Sequence, residues 1–351
     1  MRHSRSSSCL PAVLRDLYDH HGVRLKEHQV FGLGGGPCLD YRASVQSREY
    51  HLGVVSPCMD VTLAATTGVR HRLCFAASPE HATEQLVATL GRGEPVALKL
   101  DPAACPGLVD TAPPAMRPYL PAHWVVVVAY DAAADRFAYV DNRRQEPYVL
   151  GRRALEAARY GGEGDQNPRG VWMELEFPDD LLPPDVGHWL AVSRVVVAYR
   201  HTAGQGATKG LDGLARLGRH LRAWGTVLTP AQRQENALRL MNVITVAGGA
   251  KGACRALYAA FLADAAAVLD APGLLGAAAR FREAGRAWQQ LHAALAGVAA
   301  EPNAVGHWAR GAPLAHALDG VLAAETAAIA ATAAALPAHP PLGWRALSEA
   351  A

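Results

Sequence analysis

The chain has 351 residues, 50% of them hydrophobic and 19% charged, which is enough for two domains of ordinary size and excludes global disorder. Lys and Arg number 34 against 32 Asp and Glu, a formal charge of +2, and no basic run supplies the footprint of a nucleic-acid binder. No apolar stretch of signal-peptide length follows the basic start Met1–Arg5, and no window reaches the roughly 18 apolar, uncharged residues of a membrane span, so the expected location is the cytoplasm, with no membrane partner.

Met1–Ser8 either carries side chains that serve the site or is simply a loose terminus. From Cys9 to His21 the apolar side chains Leu10, Val13, Leu14, Leu17 and Tyr18 keep the i, i+3, i+4 spacing of a helix, and Gly22 supplies its stop. Phe31–Pro37 is a glycine-rich turn without the G-x-G-x-x-G or G-x-x-x-x-G-K-[ST] spacing of a nucleotide loop, and is expected to lie under a cleft. Pro79–Leu90 looks helical. Short apolar or β-branched runs predict strands at Val96–Leu100, His123–Tyr130, Arg136–Asp141, Val171–Phe177 and Ala191–Tyr199. Asp131–Asp135 is of hairpin length, so the second and third of these should pair antiparallel.

His201–Gly210 is a small-residue linker. Beyond it helix formers dominate between breaks at Gly225, Pro230, Gly248–Gly252, Pro272, Pro302 and Pro313. That spacing predicts about five helices in an antiparallel bundle, among them Ala231–Val243, Ala253–Leu269, Gly276–Leu295 and Leu314–Leu336. The last is the longest apolar candidate, but Asp319 and Glu325 interrupt it and it reads as a packed helix. The expected organisation is an α+β domain with an antiparallel sheet at 1–200, a linker at 201–210, an all-α helical domain at 211–340 and a tail at 341–351.

Of six cysteines (Cys9, Cys38, Cys58, Cys74, Cys105 and Cys254) none forms a C-x-x-C pair, so neither a disulfide framework nor a zinc knuckle is indicated. Cys9 alone sits where chemistry is asked for. A helix N-terminus carries partial positive charge and unpaired N–H groups, which lower a thiol's pKa and can cradle an oxyanion. His123 begins an apolar strand and Asp141 ends its hairpin partner, so antiparallel pairing makes them neighbours. A carboxylate fixes the imidazole's tautomer and the imidazole takes the thiol proton, the logic of covalent acyl transfer. The plainer readings are a buried filler cysteine, a packed histidine and an Asp-Asn turn.

The pattern Cys9-x-x-x-x-Leu14 to Gly22, His123-Trp-Val-Val-Val-Val-Ala-Tyr-Asp131 and Tyr-Val-Asp141 resembles the bacteriocin-processing peptidases of the papain clan. More closely, the chain resembles the butirosin-biosynthesis acyltransferases, the BtrH family. The residues that carry this are Cys9 to Gly22, Glu27-x-x-Val-Phe-Gly-Leu-Gly-Gly-Gly36, Gly93–Asp101, His123–Asp131, Val140-Asp-Asn-Arg143 and Leu150 to Arg159. Its usual helical C-terminal domain is matched through Gly248-Gly-Ala-Lys-Gly-Ala-Cys-Arg255-Ala-Leu-Tyr258-Ala-Ala-Phe261.

The resemblance implies a papain-like fold and acyl transfer from an acyl carrier protein's phosphopantetheine thioester, with no resident cofactor or metal. Cys9 would form the acyl-enzyme, His123 would deprotonate a small-molecule amine, and Asp141 would orient His123. Family members often carry His before the Cys, where this chain has Ser8, and the peptidases place an oxyanion Gln six residues ahead, where it has His3. Ser8 and His3 are therefore the oxyanion candidates. Glu27 could bind a substrate amine or order the glycine-rich turn; a solvated side chain beside Lys26 is the plainer reading.

Gly248–Gly252 could hold a phosphate or carrier carboxylate at a helix N-terminus, although a plain connection is simpler. His20, His21 and His28 lack metal spacing with partners and read as surface or packing histidines. The rival functions are a cysteine peptidase or amidohydrolase of the same fold and a non-catalytic binding or scaffold protein. The Ala-rich helical faces allow a homodimer.

Overall fold

The computed structural model describes residues 1–44, 46–76, 78–105, 108, 117, 120–161, 167–200, 209–247, 252–308 and 312–341. In chain order its elements begin with α1 (Cys9–His20), α2 (Glu27–Leu33), β1 (Pro37–Ser44), β2 (Glu49–Val55), α3 (Met59–Thr67), β3 (Arg70–Cys74) and α4 (Pro79–Gly91). Then come β4 (Val96–Leu100), β5 (His123–Asp131), β6 (Arg136–Val140), β7 (Tyr148–Gly151), α5 (Arg152–Tyr160) and β8 (Trp172–Glu176). Helices α6 (Pro184–Arg200), α7 (Gly210–Val227), α8 (Pro230–Asn242), α9 (Arg255–Val268), α10 (Gly273–Ala300) and α11 (Pro313–Ala335) complete the chain. Most of the expected linker (201–208), residues 248–251 and the tail from 342 lie outside the described residues.

The architecture is α+β, and every strand pairing among the described residues is antiparallel. Two compact units share the chain: Met1–Val30 with Val69–Asp179, and Phe31–Gly68 with Asp180–Ala351. The first holds a six-stranded sheet in the order β3-β8-β4-β5-β6-β7. Leu98, Leu100, Val125, Val127, Phe137 and Tyr139 form its core with Leu86 of α4 and Leu155 of α5. Helix α1 packs on β5, burying Val13, Leu14, Leu17 and Tyr18 at the spacing read from sequence. Gly22 follows it at φ +83°, where a side chain would be strained.

The helical unit is not purely α. The hairpin β1–β2 and α3, encoded early in the chain, pack with it: β1 lies against α7 and β2 against α8. The glycine-rich segment also belongs here, and is not a simple turn. Its first half is helix α2, and a Cβ on Gly32 would sit 1.9 Å from the Phe261 ring, so glycine permits that ring to pack on the helix backbone. The strand expected at Ala191–Tyr199 is instead part of α6. Its buried side chains Val192, Val195, Val196 and Tyr199 recur every three to four residues, a helical stripe that the β-branched composition disguised.

The unit's polar core centres on Arg255. It donates from Nε to Glu325 Oε1 at 2.6 Å, from Nη1 to the carbonyls of Val54 (2.8 Å) and Ala253 (2.7 Å), and from Nη2 to Tyr199 Oη at 2.8 Å. Trp288 Nε1 donates to the same Glu325 oxygen at 2.5 Å. Arg255 and Glu325 are fully buried, so Glu325, which interrupts the apolar run of α11, is an internal ion-pair partner. By length and composition Val305–Ala335, the segment containing α11, is the one stretch among the described residues that could cross a membrane.

Candidate active site

Cys9 is the first residue of α1. Ser8, ahead of it, is extended (φ −137°, ψ 141°) and its side chain makes no capping bond. The positive end of the helix therefore falls on the thiol. His123 opens β5 opposite Leu100. In the β5–β6 register Val126 faces Val140, so Asp141 falls opposite Val125, two residues along the same face from His123. The expected neighbourhood is met: His123 Nε2 lies 3.2 Å from Asp141 Oδ2. Both side chains are buried, while Cys9 keeps part of its surface.

The His123 imidazole and the backbone N–H groups of Trp124 and Leu10 all act on the Cys9 sulfur. With Nε2 engaged by Asp141, Nδ1 is the ring nitrogen left to meet the thiol. Burial on its own would push the thiol up. The adjacent imidazolium, its hydrogen bond and the two N–H groups outweigh burial and hold Cys9 below the ordinary thiol range. Burial acts downward on His123, but the Cys9 thiolate and the Asp141 carboxylate raise it to about 9. Burial would raise Asp141, yet His123 and the Arg143 N–H, 3.0 Å from Oδ1, keep it below the usual carboxylate range. Both shifts act in the direction of a thiolate–imidazolium pair, with a carboxylate bonded to the imidazole.

The first eight residues are not a loose terminus. Arg2 N donates to Asp19 Oδ2 at 2.6 Å, and Ser6 N donates to the Asn142 carbonyl at 2.9 Å while Asn142 Nδ2 returns a bond to Ser6 O at 3.2 Å. Glu27 Oε1 accepts from Ser7 N (2.6 Å) and Ser8 N (3.0 Å). It is not a solvated side chain: it anchors the two peptide groups directly before Cys9. Burial raises its pKa in spite of those N–H donors.

His3 does not fit an oxyanion donor. Its Nδ1 is 2.5 Å from Asp16 Oδ2 and its Nε2 is 2.9 Å from the Arg144 carbonyl, so both nitrogens are spent holding the strap. The bond to Asp16 raises its pKa against the effect of burial. Asn142 and Asp16 were not singled out from sequence. In the sequence Asn142 stands only within the Asp-Asn turn signal and the run Val140–Arg143 that carries the resemblance, with no role of its own, and Asp16 looks like any polar residue on a helix.

Residues 8–142 match the family described as "Butirosin biosynthesis protein H, N-terminal", and residues 153–332 match "Domain of unknown function (DUF4872)". The chain belongs to the DUF4872 family, whose model covers just over half of it, and its N-terminal part is similar to butirosin biosynthesis protein H. The N-terminal match begins at Ser8, one residue before the thiol, and ends at Asn142, one residue after Asp141, so all three central side chains lie inside it. The DUF4872 match runs from the second residue of α5 through β8 and α6 to α10 and most of α11, and takes in the Arg255–Glu325 pair. No curated protein matches the chain.

Proposed function

We propose that this protein is a cysteine-dependent acyltransferase of natural-product biosynthesis with a papain-like catalytic unit. The observation that carries this is the Cys9 thiol held between a helix N-terminus and a His123 imidazole bonded to Asp141. The name of the N-terminal match supports a biosynthetic setting of the butirosin kind. The donor is an acyl group on the phosphopantetheine arm of an acyl carrier protein, the acceptor is a small amine-bearing natural product, and the cytoplasm is where a carrier-protein donor is met. No bound cofactor is needed, because the thioester supplies the activation.

The Cys9 thiolate attacks the thioester carbonyl, and the oxyanion is stabilised by N–H groups at the start of α1, with the Ser8 hydroxyl as the side-chain candidate. Collapse of the tetrahedral intermediate expels the pantetheine thiolate, which takes the His123 proton. The acceptor amine then attacks the acyl-Cys9 carbonyl and gives its proton to His123. Departure of the Cys9 thiolate releases an amide and regenerates the ion pair.

Intact-protein mass spectrometry after incubation with acyl-pantetheine thioesters tests this reading. The expected result is an acyl adduct on the wild type, absent from Cys9→Ala, that is discharged by amines faster than by water. Discharge by water alone would replace transfer with hydrolysis. Absence of any adduct, with Cys9 no more reactive to iodoacetamide than a free thiol, would point to a binding protein.

A further inference from the structure

The end of α1 away from Cys9 carries a second cluster of chemically capable side chains. Cys9 and His20 are the first and last of 12 helical residues, so the two ends stand about 16 Å apart at 1.5 Å per residue. At that far end His20 Nε2 lies 3.2 Å and His21 Nε2 3.8 Å from the same oxygen, Glu94 Oε2. One ligand atom from each of the three residues lies within 4.8 Å of the other two. We propose that His20, His21 and Glu94 form a binding site for a divalent cation of the zinc class, separate from the acyl-transfer centre.

Two imidazole nitrogens and one carboxylate oxygen are a donor set that zinc and its neighbours favour. Ligand atoms around tetrahedral zinc stand about 3.3 Å apart at bond lengths of roughly 2.0–2.1 Å. The cluster therefore closes on an ion with about an ångström of side-chain movement. The His21 ring is already fixed by stacking on Phe177, with centroids 4.4 Å apart. Glu94 is delivered by the turn after α4, where Gly93 adopts φ +84° and Glu94 N bonds the Thr89 carbonyl. Arg92, the neighbouring cation, does not compete for it, because its guanidinium donates to the Ala88 carbonyl and to Thr89 Oγ1. The carbonyl end of α1, the negative end of its dipole, adds to the attraction for a cation.

His21 and Glu94 also line a cavity of about 560 Å3 whose other walls include Leu17, Leu86, Leu98 and Trp172. Three protein ligands leave a fourth position for water or for a donor atom of a small molecule in that cavity.

The test is zinc and cobalt(II) binding by the tag-free, chelator-treated full chain, carried in the Cys9→Ser background so that the reactive thiol is not a ligand. The expected result is one equivalent of zinc bound at micromolar concentration, and a cobalt spectrum without a thiolate charge-transfer band. Glu94→Gln and His21→Ala, each with an unchanged melting curve, should weaken zinc by about tenfold or more, while Glu94→His restores it and His28→Ala leaves it unaltered. No saturable binding, or equal affinity in wild type, Glu94→Gln and His21→Ala, would overturn the site. Neither outcome bears on acylation of Cys9, which is read by mass.

Discussion

The chemistry rests on how few groups surround one sulfur. Helix position, an imidazolium and two backbone N–H groups act together on Cys9 against burial, and Asp141 acts through His123. Acylation should therefore follow a bell-shaped pH profile. The acid limb marks protonation of the thiolate, below the ordinary thiol pKa, and the alkaline limb near 9 marks loss of the His123 proton. In Asp141→Asn the carboxylate that raises His123 is gone, so the alkaline limb moves to lower pH and the rate falls by about 10²-fold or more. Single-turnover acylation across pH reads both. Glu27→Ala strips the acceptor from two peptide N–H groups beside the nucleophile and should cost about 1–3 kcal/mol. Glu27→Gln, which keeps an accepting oxygen, should retain most of the stability and of the iodoacetamide reactivity of Cys9.

Among the elements, the helical unit is specified by polar and glycine positions as much as by its apolar faces. Glu325→Ala leaves the Arg255 guanidinium buried without its counter-charge and should cost about 3–5 kcal/mol. A double replacement, Arg255→Met with Glu325→Leu, should recover much of that, because two apolar groups leave no charge unpaired; denaturant midpoints decide it. Gly32→Ala drives a methyl into the Phe261 ring, which is fully buried and has no room to yield, and should cost about 1–3 kcal/mol. The motif Arg255, Tyr258 and Phe261, which carried the sequence resemblance in the C-terminal half, is thus a set of core contacts. A strongly patterned stretch need not be a site.

Over the whole molecule, pH acts on stability through half-buried histidines. His71, held neutral beside Tyr18 Oη at 2.9 Å, is depressed by burial to about 4. A histidine with a lowered folded pKa makes no demand above its unfolded value of about 6.5. Below that pH the unfolded chain takes up a proton that the folded chain refuses, so stability falls between about 6.5 and 4, by about 3 kcal/mol in all. His71→Phe should flatten that slope in unfolding curves measured from neutral to acid pH. His3 acts with the opposite sign: its raised pKa adds stability that is complete below 6.5 and is lost as pH climbs through the folded value.

Local pattern by itself determined α1, the hairpin His123–Asp131 with Arg136–Val140, and helices α8 to α11, because each is written in a short period of apolar side chains closed by Gly, Pro or Asp. It also determined that His123 and Asp141 are neighbours, since a hairpin register follows from a short loop. The meeting of Cys9 with His123 rested on resemblance, because 114 positions separate them and no local rule spans that gap. Tertiary structure alone decided the rest. The edge strand Arg70–Cys74 is mostly polar and is held by cross-strand pairs such as Arg70 with Glu176, so it has no apolar signature. Val192–Tyr199 was pulled into a helix by the core that it faces, against β-branched propensity. The roles of His3, Glu27, Asn142 and Glu94 depend on partners 13 to 141 residues away, Asp16 and Arg144 for His3 alone. Such long-range pairing is set by how packed elements meet, which the order of residues along one segment does not encode.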